Sequence, residues 1–531
     1  MQRSFQTNGY LIHKQVYNQT ELQKICATIQ SDPTVYQRVW EKDRCASSSN
    51  FLNFATHPSI LDPVRKLLGD DVILWGGLYL TRTPGQVHHW HTDIESSHPD
   101  GGFVSVWIGL TGTQQESALN LVPHSHHFGK PLQQVIQENA KQRETTTNED
   151  IIKWANAYHT GHAGILKPEV TNGDAIFFDG RLWHGSDNLS KRVERTALLF
   201  QFARADVPVR IPNFKYLNWP FTVFEAPLPP CIQVSGKADR EINKISERPP
   251  VLDSALTHIP AQVAPVDLNT TTKADQILAS KALLEGRSDN LLKLSCHYSS
   301  LKPDCRPHPP HSHVDEEILI VLRGEATLRY DDPQGKLAQR ICTAGAGIYY
   351  PTFHRHTIYN HTTEPLIYLM FKWVGAGSQS KEPLSLQTFS VPTLADHPPS
   401  DPPYKTERIL FGATSQMNAI EAHSSTLLPG GGYDMHADDH DIAIIVLEGT
   451  VETTGRTINT GELIWHPANH EHDMWNHSNE AARYVVFEFH GDNCSGDYLS
   501  FGSSEQDQKK LMKKRSTARI FRNIKRAIGF K

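Results

Sequence analysis

The segment Val87-His88-His89-Trp90-His91-Thr92-Asp93 carries the residue types and spacing best suited to chemistry. It follows a strand-like run, Val72 to Thr81, and a turn signal at Thr83-Pro84-Gly85. In extended backbone, residues i and i+2 face the same way. His91 and Asp93 therefore look out together, and Thr92 looks away. One imidazole and one carboxylate supply two legs of the two-histidine, one-carboxylate triad that holds non-heme Fe(II). A third leg has to come from elsewhere in the chain. The plain alternative is a hydrogen-bonded surface pair. This chain has 29 histidines, and His-x-Asp recurs at His313/Asp315, His436/Asp438 and His490/Asp492.

The surrounding elements must position that pair. Thr20-Glu21-Leu22-Gln23 reads as a capping box for a helix with Leu22, Ile25, Cys26 and Ile29 on one side. A second helix is expected near 58–68. The pattern then turns to short apolar, aromatic or β-branched strands: Phe103 to Leu110, Asp174 to Phe178 and Thr196 to Ala203. Short strands divided by Gly, Pro and Asn turns predict a sandwich or jelly roll. The strand ending near Asp179 leads into Arg181-Leu182-Trp183-His184, and Arg195 follows eleven residues later. His184 is the natural third ligand. Arg195 is the natural anchor for an acid, because its planar fork pairs bidentately with a carboxylate. Each has a simpler alternative: His184 as a hydrogen-bonded core residue, Arg195 as a partner of Glu194, with Arg192 as a rival anchor. His88, His89 and His98 read as solvated side chains or polar neighbours of the site.

Over most of residues 5–205 the chain resembles the phytanoyl-CoA dioxygenase family of iron- and 2-oxoglutarate-dependent oxygenases. The resemblance is carried by Asn8-Gly9-Tyr10-Leu11-Ile12, by Trp90 to Asp93 and by Trp107-Ile108-Gly109-Leu110. It continues through Ser117 to His126, Leu182-Trp183-His184 and Arg195. It departs at Ser117, where a glycine is often seen. The resemblance implies a double-stranded β-helix in which His91, Asp93 and His184 hold Fe(II) and Arg195 binds the far carboxylate of 2-oxoglutarate. It further implies decarboxylation to succinate and CO2. Halogenating relatives lack the carboxylate, so Asp93 favours hydroxylation. Residues 129–170 read as a helix-rich lid that sets substrate choice.

A Pro-rich connector is expected over 208–280, followed by a second β architecture. There, Pro310-His311-Ser312-His313-Val314-Asp315-Glu316-Glu317 precedes an apolar run and Gly324. His356 and Asn360 follow Gly345 and Pro351. His311 and His313 share a strand face, Glu317 lies two pleats on, and His356 returns from a later strand. These motifs resemble a cupin, with Phe353 standing where glycine is usual. The resemblance implies one divalent metal on His311, His313, Glu317 and His356, and ligand type does not choose among Fe, Mn, Ni and Zn. The pattern repeats weakly. His436 matches His311 and His472 matches His356, whereas Asp438 replaces His313 and Ile442 replaces Glu317. A site from His436, Asp438 and His472 is weighed against a degenerate, mainly structural lobe, and the latter is preferred.

The expected organisation is therefore mainly β. An oxygenase domain covers 1–207, a linker 208–280, cupin lobe one 281–375, a linker 376–405, lobe two 406–495 and a basic tail 506–531. Net charge is −6, but residues 509–531 carry ten Lys/Arg and no acid, leaving −16 on the rest (−6 minus +10). An acidic body argues against nucleic acid as a partner. The tail, with Ile520, Phe521, Ile524, Ala527 and Ile528 among basic residues, suits either an amphipathic helix on an anionic membrane surface or a solvated extension. Seven scattered cysteines without a Cys-x-x-Cys pair, no apolar leader and no long apolar run point to a cytoplasmic chain with reduced thiols. The favoured activity is a 2-oxoglutarate-dependent hydroxylase acting on a small molecule, lipid or saccharide-linked substrate, with the two lobes as a second metal module able to form a homodimer contact. The alternatives are chemistry centred on the cupin, as a dioxygenase or sugar isomerase, and a cupin-based binding protein.

Overall fold

The computed structural model describes residues 2–32, 42–93, 101–159, 161–189, 193–210, 228–252, 256–332, 335–378, 382–394, 404–492 and 494. The basic tail, His98 and Arg192 lie outside the described residues. Two compact units form: Met1–Val251 with His311–Val314, and Leu252–Pro310 with Asp315–Lys531. The first unit combines strands with helices, and the second is built chiefly from β-strands.

In the first unit a seven-stranded sheet runs in the order Tyr10–His13, Ala175–Asp179, Phe103–Thr111, Arg195–Arg204, Val72–Arg82, Pro230–Ser235, Lys244–Ser246. A smaller sheet has Val87–His91, His184–Asp187 and Leu119–Leu121 side by side. This two-sheet jelly roll follows from strands whose apolar faces have to be covered on both sides. The strand Phe103–Thr111 is buried through Leu110, and Ala175–Asp179 is buried throughout. The expected strands near 72, 103, 174 and 196 all form, as does the helix Pro58–Leu68. After a short helix Gln2–Asn8, the helix expected from the Thr20 box runs Gln19–Ser31 and begins two residues earlier than that box implied. Asn18 caps it, accepting from Glu21 N at 3.0 Å while Glu21 Oε2 accepts from Asn18 N at 2.7 Å. Asparagine holds the more favourable cap geometry, and Glu21 completes the reciprocal pair.

Gly9, at the start of the family-like opening, is required twice over. Its φ is +80°, and a Cβ there would lie 2.5 Å from His126 Nδ1 and 2.6 Å from Leu182. The Pro-rich stretch does more than connect. Pro230–Ser235 and Lys244–Ser246 pair in parallel and extend the large sheet past residue 207. Cys231, Ile232 and Val234 supply the apolar faces that the prolines around them obscured.

The second unit holds two lobes. In lobe one, a six-stranded sheet contains Leu291–Leu301, Leu366–Gly375, Glu316–Arg323 and Ala346–Tyr350, opposite a three-stranded sheet that includes His356–Tyr359. Lobe two repeats this with Ala419–Leu427, Ala482–His490, Asp441–Glu448 and Glu462–His466 in the large sheet, and Gly432–His436 beside His472–Trp475 in the small one. Segments assigned to linkers again supply edge strands: Gln387–Ser390 joins lobe one and Gln262–Pro265 joins lobe two. The large sheets share a core that includes Phe371, Trp373, Phe487 and Phe489. No helix among the described residues is long and apolar enough to cross a membrane. All seven cysteines are free thiols.

Candidate metal centres

The antiparallel register of the small sheet sets His91 directly opposite His184. Their rings stand 4.1 Å apart. Asp93 lies just beyond that strand, its N–H donating to Gly180 O at 3.1 Å. Asp93 Oδ1 is 3.9 Å from His91 Nε2 and 4.0 Å from His184 Nε2. One ligand atom from each of the three residues falls within 4.8 Å of the other two.

The remaining polar atoms are committed elsewhere. His91 Nδ1 donates to His89 O at 2.9 Å, and His184 Nδ1 donates to Leu182 O at 2.9 Å. A carbonyl only accepts, so each Nδ1 carries the proton and each Nε2 keeps its lone pair for a metal. Burial, reinforced by the neighbouring imidazole, holds His91 well below the ordinary histidine range. Burial also lowers His184, against the opposing pull of Asp93. Both are therefore neutral and ready to ligate. Asp93 Oδ2 accepts from Ser105 Oγ at 2.7 Å and from Gln201 Nε2 at 2.9 Å, leaving Oδ1 as the ligating atom.

The helix-rich segment 129–170 is bound to the same stretch of chain. Gln133 bonds Thr92 both ways, at 3.0 and 2.7 Å, and Leu132 N donates to Thr92 Oγ1. Arg143 donates to His89 O and Trp90 O, and Trp90 Nε1 donates to Asn148 Oδ1. The helices Leu132–Glu138 and Asn148–Tyr158 thus fix the backbone between the first two candidate ligands. His88 packs 4.6 Å from His91, ring to ring, and burial followed by Arg143 and Arg82 pushes it down to about 3.

Arg195 opens the central strand Arg195–Arg204 and is 1% exposed. Its guanidinium lies 5.3 Å from the Trp107 ring. Its Nε and Nη1 have no hydrogen-bond partner among the described residues. Burial and the nearby Arg82 lower it to about 10, so it stays charged at neutral pH. Arg195, Ala197, Leu199 and Gln201 alternate onto one face of this strand. The buried cation therefore shares a face with the side chain that holds Asp93. Sequence reading missed Ser105 and Gln201, although each is a lone polar residue inside a buried apolar strand, which is a usable signal.

In lobe one, Glu317 Oε2 lies 3.5 Å from His356 Nε2, whereas His311 and His313 belong to the first unit. All four are buried. His356 Nδ1 donates to His354 O at 2.8 Å. In lobe two, His436, Asp438 and His472 form an equivalent group, Asp438 Oδ2 lying 3.3 Å from His436 Nε2 and 3.8 Å from His472 Nε2. A fourth group, His440, Glu488 and His490, was not anticipated.

Comparison with known proteins agrees with this architecture. Residues 5–197 match the family described as phytanoyl-CoA dioxygenase. Residues 297–372 and 423–488 match the cupin domain. No curated protein matches the chain. Among solved structures, AerE from Microcystis aeruginosa is similar at 16% identity, over 44% of this chain and 98% of its own, with a TM-score of 0.32. The putative glyoxylate induced protein from Pseudomonas aeruginosa is similar at 15% identity, over 49% and 98%, with a TM-score of 0.35. Oxalate decarboxylase from Bacillus subtilis is similar at 14% identity, over 47% and 80%, with a TM-score of 0.31.

Proposed function

Because residues 5–197 belong to the phytanoyl-CoA dioxygenase family and two cupin domains follow, we propose that this chain is an Fe(II)- and 2-oxoglutarate-dependent dioxygenase that hydroxylates its substrate. His91 Nε2, Asp93 Oδ1 and His184 Nε2 would hold the iron, and Arg195 would grip the far carboxylate of 2-oxoglutarate. The bound pair supplies the oxidising power: O2 and 2-oxoglutarate give succinate and CO2, with one oxygen atom delivered to a substrate C–H bond. The chain's own residues prepare that chemistry. His89 O and Leu182 O hold the imidazoles in the ligating tautomer. Ser105 and Gln201 hold Asp93 Oδ2, so Oδ1 would be the ligating oxygen. Trp107 shields one side of Arg195 from water, so the guanidinium meets a carboxylate in a low-dielectric setting where the pair is strong.

One observation carries the reading: Arg195, a fully buried cation with N–H groups lacking partners among the described residues, on the same strand face as the Asp93 clamp. Buried charges are normally paired, so the site is built for an anion. The substrate class we favour is a small molecule, lipid or saccharide-linked compound, with the lobe-one set (His311, His313, Glu317, His356) holding a second divalent metal, Fe, Mn, Ni or Zn. The test is an anaerobic titration of the Fe(II)-loaded protein with 2-oxoglutarate. We expect a visible charge-transfer band, followed by succinate release once O2 is admitted. Absence of both the band and succinate would overturn the assignment.

A further inference from the structure

Lobe two differs from lobe one by a pair of linked exchanges. In lobe one Glu317 faces Lys372 across the antiparallel ladder. In lobe two the same ladder position pairs Ile442 with Glu488. The carboxylate has therefore crossed to the neighbouring strand. Two histidines accompany it. His440 stands two residues before Ile442, where lobe one has Asp315 before Glu317, and His490 stands two residues after Glu488, where lobe one has Val374 after Lys372. Glu421 pairs with Glu488 on the other side, and His423 is the next residue on that face.

These side chains converge out of water. His440, Glu488 and His490 are 3%, 4% and 1% exposed. His490 Nε2 lies 3.0 Å from Glu488 Oε2, and His440 Nε2 lies 3.2 Å from the same atom. His423 Nδ1 stands 3.7 Å from Glu488 Oε1. Arg408 Nε donates to Glu421 Oε1 at 3.0 Å, which occupies that second acid with a separate cation. Metal–ligand bonds of about 2.0–2.2 Å put neighbouring ligand atoms roughly 3.0–3.5 Å apart. The two measured edges at Glu488 fall in that range. The neighbouring residues on the ladder, Phe487 and Phe489, belong to the apolar core. Five ionisable groups on one buried face of that ladder are costly unless paired, with one another or with a bound ion.

We propose that lobe two binds a divalent transition-metal cation through His440, Glu488 and His490. The site lies one strand away from the position that the cupin pattern assigns. Two imidazoles and one carboxylate suit Zn2+, Fe2+, Co2+ or Ni2+ rather than Ca2+ or Mg2+. Three protein ligands leave a coordination position open for water or a small anion. The inference does not depend on the oxygenase reading.

The test uses the full chain, stripped with chelator and titrated anaerobically with Co2+ alone, following the visible d–d bands and the bound stoichiometry. A background with His91→Ala, His356→Ala and His472→Ala removes one ligand from each other group. We expect that background to keep one equivalent of Co2+ per chain, and Glu488→Gln added to it to weaken this binding at least 100-fold. In the otherwise native chain, Glu488→Gln or, should that variant not fold, His490→Gln should lower the total by one equivalent. A background that binds no Co2+ while still folded, or an unchanged total in the native-background variants, would overturn the proposal. In the overturned case the cluster is a histidinium–carboxylate pair and nothing more.

Discussion

Replacing Arg195 by Met tests the oxygenase reading by moving two properties in opposite directions. Methionine keeps an unbranched apolar stem against Trp107 and removes the charge. If Arg195 grips a carboxylate bidentately, two charge-assisted hydrogen bonds of about 1.5–3 kcal/mol each are lost. Affinity for 2-oxoglutarate should then fall by about 100- to 10,000-fold, since each 1.4 kcal/mol is about tenfold. The unliganded fold should gain. An unpaired buried cation costs several kcal/mol, and contact with an aromatic ring returns at most about 2 kcal/mol. We therefore expect the ligand-free variant to be more stable by about 1–3 kcal/mol, which raises the first unit's unfolding temperature by about 2–12 °C, at about 2–4 °C per kcal/mol. Calorimetric titration of 2-oxoglutarate into the Fe(II)-loaded protein and thermal unfolding of the ligand-free chain measure the two effects. Arg195→Lys, which retains a charge without the planar fork, should be intermediate in affinity. Unchanged affinity together with a loss of about 3–5 kcal/mol would refute the reasoning, because that is the signature of breaking a structural ion pair.

Gln201→Leu releases one of the two donors to Asp93 Oδ2, and Fe(II) affinity should drop about 10- to 100-fold. Equilibrium dialysis under anaerobic conditions would measure the change, and an unchanged constant would show that the clamp orients nothing. Asn476 Nδ2 donates to Leu427 O at 3.0 Å and Glu480 O at 2.8 Å, and Asn360 does the same for Leu301 O and Glu364 O. Asn476→Ala should cost lobe two about 2–4 kcal/mol by leaving buried carbonyls unpaired, seen as a lower denaturant midpoint; a cost below about 1 kcal/mol would mean that water replaces the amide. Acid should destabilise the first unit. Burial lowers His126 to about 4, against the hydrogen bond to Gln6 O, so the folded state stays neutral where the unfolded chain takes a proton. Stability is full above the unfolded value of about 6.5 and falls as pH drops toward 4, by at most about 3 kcal/mol from this residue. His126→Gln should flatten the denaturant midpoint between pH 7 and 5, and an unaltered slope would contradict the assignment.

The short spacing of the local pairs was legible, but the shared strand face expected for them is not what holds them. Asp93 lies just beyond the strand that ends at His91, and His311 and His313 lie outside the named strands, next to the isolated bridge Ser246–Ser312. Joining His184 to them needed the register of Val87–His91 against His184–Asp187, which no spacing encodes. The family-like pattern supplied that link. Two departures from family pattern have physical explanations. Phe353, standing where glycine is usual, adopts φ +58°, and Asn469 at the matching place in lobe two adopts φ +66°. The loop demands the left-handed region, which glycine enters freely and a bulky residue enters at a cost of about 1–2 kcal/mol. Phe353 is 3% exposed, and burying its ring offsets that cost. Ser117, buried in place of a glycine, earns its position by bonding Gly112 O and Gln114 N. What stayed hidden was set by tertiary pairing. The strands at Pro230–Ser235 and Gln262–Pro265 exist because a sheet edge was open to them, and His440 meets Glu488 only through the ladder of lobe two.

A shared local device runs through three of the candidate centres. His91, His184, His356, His436 and His472 each donate Nδ1 to the carbonyl two residues upstream, at 2.8–3.1 Å. Residues i and i−2 are neighbours along extended backbone, so the tautomer that frees Nε2 is set by the strand itself and needs no distant partner. The position of such a histidine at the end or start of a strand then decides where the lone pair points. This explains how a ligand-ready imidazole survives in lobe two even though Glu317 has become Ile442 there. The orientation of His436 and His472 depends on their own backbone, not on the missing acid. The unanticipated group is built differently: His440 and His490 turn Nε2 toward Glu488 itself, and His440 Nδ1 also faces Asp439 at 3.7 Å. Loss of Glu488 should therefore disturb both rings, whereas loss of Asp438 should leave His436 and His472 in place. Imidazole NMR of Glu488→Gln and Asp438→Asn would separate the two cases, and equal disturbance of all four rings would defeat the distinction.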